Sequence, residues 1–152
     1  MKINKKILIV AANYYPKITD KLILGSKKAL LKSKLIKKNI KIIKSPGVFE
    51  IPVLISKNIN KFDGFVALGC VIKGKTPHFK LISKAVTNAI MNLSITHKKP
   101  IGNGILPCLN KRQALERLDK AAEASSAVEQ VFINESMLKS SKRWKNETKW
   151  SS

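Results

Sequence analysis

Hydrophobic residues in this chain form two kinds of segment that follow one another along the sequence. Short segments rich in apolar residues, at 7–11, 40–43, 64–72 and 101–106, predict four strands, and those at 7–11 and 64–72 are continuous apolar runs. After each run the apolar residues take a helical spacing, which predicts helices over about residues 19–38, 52–58, 80–96, 110–118 and 121–131. Because a strand is followed by a helical region four times along the chain, we predict an α/β protein in which a parallel sheet carries helices on both faces.

Two of these elements also predict which surfaces are covered. The run at 64–72 is apolar at successive positions, so we expect a central strand that is buried on both faces. Thr19 is expected to cap the first helix, and the residues spaced to face the sheet are Leu22, Ala29 and Ile36. A second set on roughly the opposite side would be exposed in a monomer: Leu24, Leu31 and Leu35. This set indicates either a partner subunit or scattered surface leucines.

The length of 152 residues indicates one domain over residues 1–136, followed by a basic tail at 137–152 that we expect to be frayed. No apolar stretch is long enough to span a membrane, and the basic N-terminus lacks a small-residue cleavage site. Cys70 and Cys108 lie far apart without the spacing of metal ligands, so we expect free thiols in a reducing compartment. These features predict a cytoplasmic protein.

The charge of the chain is high, with 30 basic residues, nine acidic residues and a formal net charge of +21. Such a balance is typical of nucleic-acid binders. However, only three of the basic residues are arginine, and the lysines are scattered over every segment without interleaved aromatic residues that could stack on bases. A solvated lysine-rich surface is therefore favoured over a nucleic-acid site, and only non-specific, salt-sensitive contact with polyanions is expected.

Glycine is concentrated around the ends of the predicted strands. Five of the seven glycines lie there: Gly47, Gly69, Gly74, Gly102 and Gly104. Each alone is typical of an ordinary turn. Since ligands of parallel α/β sheets bind beyond the carboxyl ends of the strands, the five together predict a site at that edge.

The loop at residues 73–78, with the sequence KGKTPH, joins the predicted central strand to a helix. Its backbone N–H groups, the Thr76 hydroxyl and the helix N-terminus are suited to holding a phosphate. His78 lies at the mouth of this loop, where a general acid or base is needed, although an ordinary surface histidine is the alternative. The chain has no metal-binding or nucleotide-binding motif, so we expect neither a metal nor a nucleotide cofactor.

Two residues near other strand ends are also candidates for ligand contact. Glu50 is the only acid between Asp20 and Asp63, and it either caps the helix that begins near Pro52 or accepts a hydrogen bond from a ligand hydroxyl. Tyr14 follows the first strand, and it either stacks on a planar ring or simply packs against its neighbours.

Four segments of this chain resemble the lumazine synthase family, which carries out the penultimate step of riboflavin biosynthesis. The two diagnostic segments are PGVFEIP at 46–52 and ALGCVIKGKTPHF at 67–79, and the segments IGNGIL at 101–106 and QALER at 113–117 follow in the family's order. The resemblance implies a flavodoxin-like, three-layer αβα sandwich with a four-stranded parallel sheet. It also implies condensation of 5-amino-6-ribitylaminouracil with 3,4-dihydroxy-2-butanone 4-phosphate, without metal or cofactor.

The resemblance assigns roles to residues at matching positions. His78 matches the acid/base histidine of the family, and Lys75 and Thr76 match its phosphate loop. The positions around the pyrimidine and ribityl chain are Tyr14, Val48, Phe49, Glu50, Cys70, Val71 and Ile72. From a neighbouring subunit, Arg117 matches a phosphate-binding arginine, Asn103 falls at a position that is often aromatic, and Lys120 matches a lysine of the site.

The family assembles as pentamers or as shells of pentamers, so a homo-oligomer with sites between subunits is expected, together with a functional link to riboflavin synthase. The short segment before the first strand favours a pentamer over a shell. The chain departs from the family pattern by a shorter segment between Arg117 and Lys120. The alternatives are a relative that binds lumazine or flavin without making it, an archaeal-type riboflavin synthase and, in another class, a basic nucleic-acid-binding protein.

Overall fold

The computed structural model describes residues 2–140, which form a four-stranded sheet with helices on both faces. The strands are β1 (Ile7–Ala12), β2 (Ile40–Ser45), β3 (Gly64–Ile72) and β4 (Ile101–Cys108). Their order is β2-β1-β3-β4, and every pair is parallel. In register, Ile9 lies between Ile42 and Val66, and Ala67 pairs with Asn103. The four predicted strands and the parallel sheet are confirmed.

The helices are α1 (Pro16–Lys32), α2 (Ile51–Lys57), α3 (His78–His97), α4 (Lys111–Glu116) and α5 (Lys120–Ser140). Successive strand residues point to opposite faces of the sheet, so each strand supplies two cores. Ile7, Ile9 and Val66 pack with residues of α1 and α5, whereas Leu8 and Val10 pack with residues of α2 and α3. The expected three-layer αβα sandwich is therefore confirmed.

The first helix differs from its predicted bounds at both ends. It begins at Pro16. Proline is favoured in the first turn of a helix, because the N–H groups of that turn have no partner within the helix and proline has no N–H to leave unpaired. Thr19 consequently lies inside the helix, where its buried hydroxyl donates a hydrogen bond to the Ala12 carbonyl instead of capping. The helix ends at Lys32, and the Ser33 hydroxyl donates to the Leu30 carbonyl.

This early end changes the predicted second apolar stripe on α1. Leu35 lies beyond the helix, is buried, and pairs with Ile3 in an isolated bridge, so its assignment to the exposed stripe is wrong. Ile36 also lies outside the helix and does not extend its sheet-facing stripe. Leu24 and Leu31 are exposed, as expected.

The C-terminal boundary also differs. Helix α5 continues through Ser140, so residues 137–140 are helical rather than frayed. Residues 141–152 of the predicted tail lie outside the described residues. Within residues 2–140, no helix is both long and apolar enough to cross a membrane.

Gly102 and Gly104 in β4 permit close packing and do not border a ligand cavity. A side-chain carbon at Gly102 would overlap the backbone carbonyl of Ala124 in α5, and one at Gly104 would lie 2.6 Å from the Leu68 side chain. These two glycines therefore let α5 and β3 approach β4 closely, and their predicted place at a ligand site is wrong.

Candidate active site

A cavity opens at the carboxyl edge of the sheet, where the ends of β1 and β3 lie side by side. Strand β2 pairs with one side of β1, and β3 pairs with the other side. Open α/β sheets bind ligands at such a point, where the strand order reverses direction. This strand-end cavity encloses about 640 Å³. Eight of the predicted residues line it: Tyr14, Val48, Phe49, Glu50, Cys70, Val71, Ile72 and His78.

Aromatic rings form an exposed apolar wall of the strand-end cavity. Tyr14 follows β1 and is 70% exposed, and Phe49 lies in a 3₁₀ turn over Val48–Glu50 and is 63% exposed. Large aromatic surfaces that remain open to solvent beside a cavity are suited to contact a planar ring. The Tyr14 ring also meets the ring of its neighbour Tyr15, with ring centres 4.9 Å apart, but most of the Tyr14 side chain stays exposed to solvent.

Glu50 lies in the same 3₁₀ turn and precedes α2. Its position is that of the helix N-cap, but its side chain makes no capping hydrogen bond. Among residues 2–140 it has no ion-pair partner within 4.0 Å either. The half-buried carboxylate therefore remains available to accept hydrogen bonds from a ligand, and the helix-cap alternative is not supported.

Cys70 lies near the end of β3 and forms part of the cavity wall. Burial, followed by the neighbouring Cys108, raises the pKa of the Cys70 thiol to about 11. Burial also raises the pKa of Cys108, against the opposing effect of the Arg117 guanidinium. Both side chains are free thiols, and at neutral pH Cys70 is protonated and serves as an apolar wall rather than as a nucleophile.

The predicted phosphate loop follows β3 and is open to solvent. Lys75 and Thr76 are exposed and flank the strand-end cavity without lining it. His78 is the first residue of α3, so its side chain lies at the cavity wall while the first-turn N–H groups of this 20-residue helix face the loop. The loop can thus contact an anion from one side only, and enclosure of that anion requires further groups.

A second cavity, between the end of β4 and the α4–α5 connection, brings together the other predicted residues. This α4–α5 cavity encloses about 620 Å³, and its lining includes Asn103, Arg117 and Lys120. The connection is a tight turn in which the Lys120 N–H donates to the Arg117 carbonyl at 3.1 Å. The short segment noted in the sequence therefore still places Arg117 and Lys120 at one cavity.

Arg117 is held by backbone rather than by a carboxylate. Its guanidinium donates to the Pro107 carbonyl at 3.4 Å, and no acid of the described residues lies within ion-pair distance of it. The neighbouring Glu116 instead pairs with Arg112 at 3.3 Å. Arg117 can therefore offer its remaining N–H groups to an anion such as a phosphate.

Neither cavity by itself contains all of the predicted site. Tyr14, Glu50 and His78 line the strand-end cavity, whereas Arg117 and Lys120 line the α4–α5 cavity. The fold groups the two sets that the resemblance attributed to different subunits into separate cavities of one chain, with Lys75 and Thr76 beside the strand-end cavity rather than in its lining.

Sequence reasoning did not assign three side chains of the strand-end cavity to the site, namely Tyr15, Pro46 and Ile82. Ile82 lies on an apolar face of α3 and packs against the core, so its residue type gave no sign of a ligand contact. Tyr15 carried a signal, since it adjoins Tyr14 in the loop after β1, but only the three-dimensional contacts distinguish the two rings.

The fold is that of a flavodoxin-like α/β protein, with a cavity at the carboxyl edge of its sheet. A family model described as 6,7-dimethyl-8-ribityllumazine synthase matches residues 4–135. The chain belongs to this family.

Relatives with the same name are similar over most of their length. The protein from Campylobacter jejuni subsp. doylei is 40% identical over 121 residues, covering 78% of this chain and 79% of the relative. The one from Bartonella bacilliformis is 40% identical over 137 residues, covering 82% and 88%. The one from Bartonella tribocorum is 41% identical over 120 residues, covering 77% and 78%.

Proposed function

We propose that this protein is the lumazine synthase of riboflavin biosynthesis, a transferase. It condenses 5-amino-6-(D-ribitylamino)uracil with 3,4-dihydroxy-2-butanone 4-phosphate to 6,7-dimethyl-8-ribityllumazine and releases phosphate and water. The observation that carries this proposal is the strand-end cavity, which collects the eight predicted residues of one half-site in a member of this family. Both cysteines are free thiols, in keeping with a reaction in the cytoplasm.

The strand-end cavity supplies the groups that the pyrimidine substrate requires. The exposed Tyr14 ring offers a stacking surface, while Cys70, Val71 and Ile72 form an apolar wall beside it. Glu50 offers charged acceptors to the ribityl hydroxyls, and such charge-assisted hydrogen bonds are stronger than neutral ones. The uncharged Cys70 wall adds no competing charge.

The phosphate of the second substrate is placed at the loop after β3. Lys75, Thr76 and the first-turn N–H groups of α3 contact it from one side, and Arg117 of a second copy contacts it from the other. This arrangement brings the butanone carbonyl to the pyrimidine amine at the wall that carries His78. Condensation, phosphate loss and ring closure all move protons, and His78 donates and accepts them at this wall.

The assembly that completes the site is a ring in which one copy's strand-end cavity faces the next copy's α4–α5 cavity. We favour a homopentamer, since repulsion among chains of net charge +21 opposes packing of many rings at low salt. Exposed apolar side chains on the outer surface support burial against another copy, among them Leu24 on α1 and Leu81, Met91 and Ile95 on α3.

The reaction is tested by mixing the purified protein with both substrates and following lumazine absorbance. A synthase forms lumazine faster than the uncatalysed mixture, whereas a relative that only binds lumazine or flavin does not. An archaeal-type riboflavin synthase would instead consume added lumazine and form riboflavin. Absence of lumazine formation above the buffer control would refute the proposal.

The assembly is tested by light scattering at several salt concentrations. We expect the mass of five chains at low and at physiological salt. A very large particle would refute the choice of a pentamer alone, whereas a stable, active monomer would refute the shared site. Tight nucleic-acid binding that survives physiological salt would support the alternative of a nucleic-acid-binding protein.

A further inference from the structure

The chain contains two tyrosines, and they are consecutive residues that line the same cavity in different states of burial. Tyr14 is 70% exposed, whereas Tyr15 is half-buried against the α1–α5 core. Their ring centres lie 4.9 Å apart with an angle of 73° between the planes, so the edge of one ring meets the face of the other. This geometry is the favourable arrangement of an aromatic pair.

Tyr15 is held in place from several sides, and Tyr14 is not. The Tyr15 backbone is the N-cap of α1, and its carbonyl accepts the Thr19 N–H at 2.9 Å. The ammonium of Lys111, the first residue of α4, lies 5.6 Å from the centre of the Tyr15 ring. Tyr15 therefore connects the aromatic wall of the strand-end cavity to two helices.

We propose that Tyr15 is a positioning residue that holds the Tyr14 ring edge-on, in the orientation in which Tyr14 stacks on the pyrimidine. The role of Tyr14 in stacking rests on the proposed function, whereas the contact between the two rings does not. An exposed ring on a loop samples several rotamers unless a neighbour restricts it, and that freedom is lost when a ligand stacks on it. A fixed neighbouring ring removes part of this cost before the ligand arrives.

Burial raises the pKa of Tyr15, with added effects from Cys70 and Tyr14, so its hydroxyl stays protonated at neutral pH. The ring, rather than a phenolate charge, is therefore the part that acts on Tyr14. Tyr15→Phe keeps the ring and should therefore keep the affinity for the pyrimidine substrate that Tyr15→Leu loses.

Steady-state kinetics of these variants give the first test. We expect Tyr15→Leu to raise KM for the pyrimidine substrate by about two- to tenfold, the range for an aromatic pair, with kcat and the KM for the phosphate substrate near their wild-type values. Tyr15→Phe should restore the wild-type KM. The double variant Tyr14→Leu/Tyr15→Leu should be no worse than Tyr14→Leu alone, because Tyr15 acts through Tyr14.

Three kinetic results would overturn the proposal. An unchanged pyrimidine KM in Tyr15→Leu would show that the pair does not matter for binding. Equal increases in KM for both substrates would show a merely structural role. If the increase in pyrimidine KM in the double variant equals the product of the increases in the two single variants, Tyr15 acts independently of Tyr14.

A second test needs no substrate, and its wild-type measurement needs no leucine variant. Protein labelled with 3-fluorotyrosine gives fluorine NMR signals from Tyr14 and Tyr15 alone, and Tyr14→Phe assigns them. In the ligand-free wild type we expect the Tyr14 signal to be displaced from the position of free fluorotyrosine, and to move back towards it in Tyr15→Leu. A Tyr14 signal at the free position in the wild type would overturn the proposal. Because no turnover is involved, this result is independent of whether the protein makes lumazine.

Discussion

Division of the site between two copies can be tested by mixing two variants of low activity. His78→Ala damages the strand-end cavity, and Arg117→Ala damages the α4–α5 cavity. Each variant alone forms rings in which every interface carries the same defect. When the chains are refolded or expressed together, some interfaces join an intact strand-end cavity to an intact α4–α5 cavity, and those sites should be active.

The size of the recovery follows from the symmetry of a closed ring. Every interface of such a ring uses one strand-end cavity and one α4–α5 cavity from adjacent copies. With equal amounts of the two chains in random order, about half of the cavities of each kind are intact, so about one quarter of the sites are intact. The recovered activity should therefore approach about a quarter of wild type, fall at unequal ratios, and be the same for rings of any number of copies.

The assay is single-turnover lumazine formation at fixed total protein over a series of mixing ratios. The matched control mixes His78→Ala with Glu50→Gln, whose defects lie in the same cavity, so no interface becomes intact and only the average of the two parent activities is expected. If the His78→Ala and Arg117→Ala mixture also gives only the average of its parents, although mass spectrometry shows mixed rings, the shared-site model is wrong.

Three further predictions concern single changes. His78→Ala should slow single-turnover lumazine formation about ten- to a thousandfold, with little loss of pyrimidine binding. The reason is that general acid/base catalysis contributes about 10²–10⁴-fold to the rate and water replaces part of this contribution. A wild-type rate in this variant would show that His78 takes no part in the mechanism. Glu50→Gln should weaken the ribityl-bearing substrate by about 1.5–3 kcal/mol and spare the phosphate-bearing one in calorimetric titrations, and equal losses would indicate a structural role. Gly102→Ala should lower the free energy of unfolding in urea by about 1–3 kcal/mol, because the new methyl group overlaps the Ala124 backbone. Gly25→Ala in α1 is its control, since that methyl group meets only ordinary contact at 3.8 Å, and equal losses in both variants would contradict the packing argument.

The sequence by itself determined the class of fold and indicated which edge of the sheet carries the candidate site. Strands β1 and β3 were visible as apolar runs because both of their faces are covered, which requires hydrophobic residues at successive positions. The edge strands β2 and β4 include polar residues such as Lys41 and Asn103, and their remaining apolar residues predicted them. Tyr14, Glu50 and His78 were visible as candidates because they follow strand ends that meet at one edge of the sheet, whereas the other predicted residues of the strand-end cavity were named through the family resemblance.

Helix ends and the purpose of individual small residues depended on tertiary contacts. Thr19 has the chemistry of a cap, yet it lies inside α1 because Pro16 starts the helix earlier and the Ala12 carbonyl accepts its hydroxyl. Leu35 has the spacing of an exposed helical stripe, yet pairing with Ile3 buries it. Local pattern could not reveal these outcomes because the deciding partner lies on another segment.

Only the tertiary structure decided which aromatic ring is exposed and which is held. Tyr14 and Tyr15 are the same residue type at consecutive positions, and sequence spacing treats them alike. Lys111 on α4 and the α1–α5 core reach Tyr15 from distant parts of the chain, whereas Tyr14 remains open to the cavity. The role of Gly102 was also decided by the tertiary structure. The backbone of α5 lies against β4 at this position and leaves no room for a side chain, and local sequence pattern does not show such a contact between distant segments.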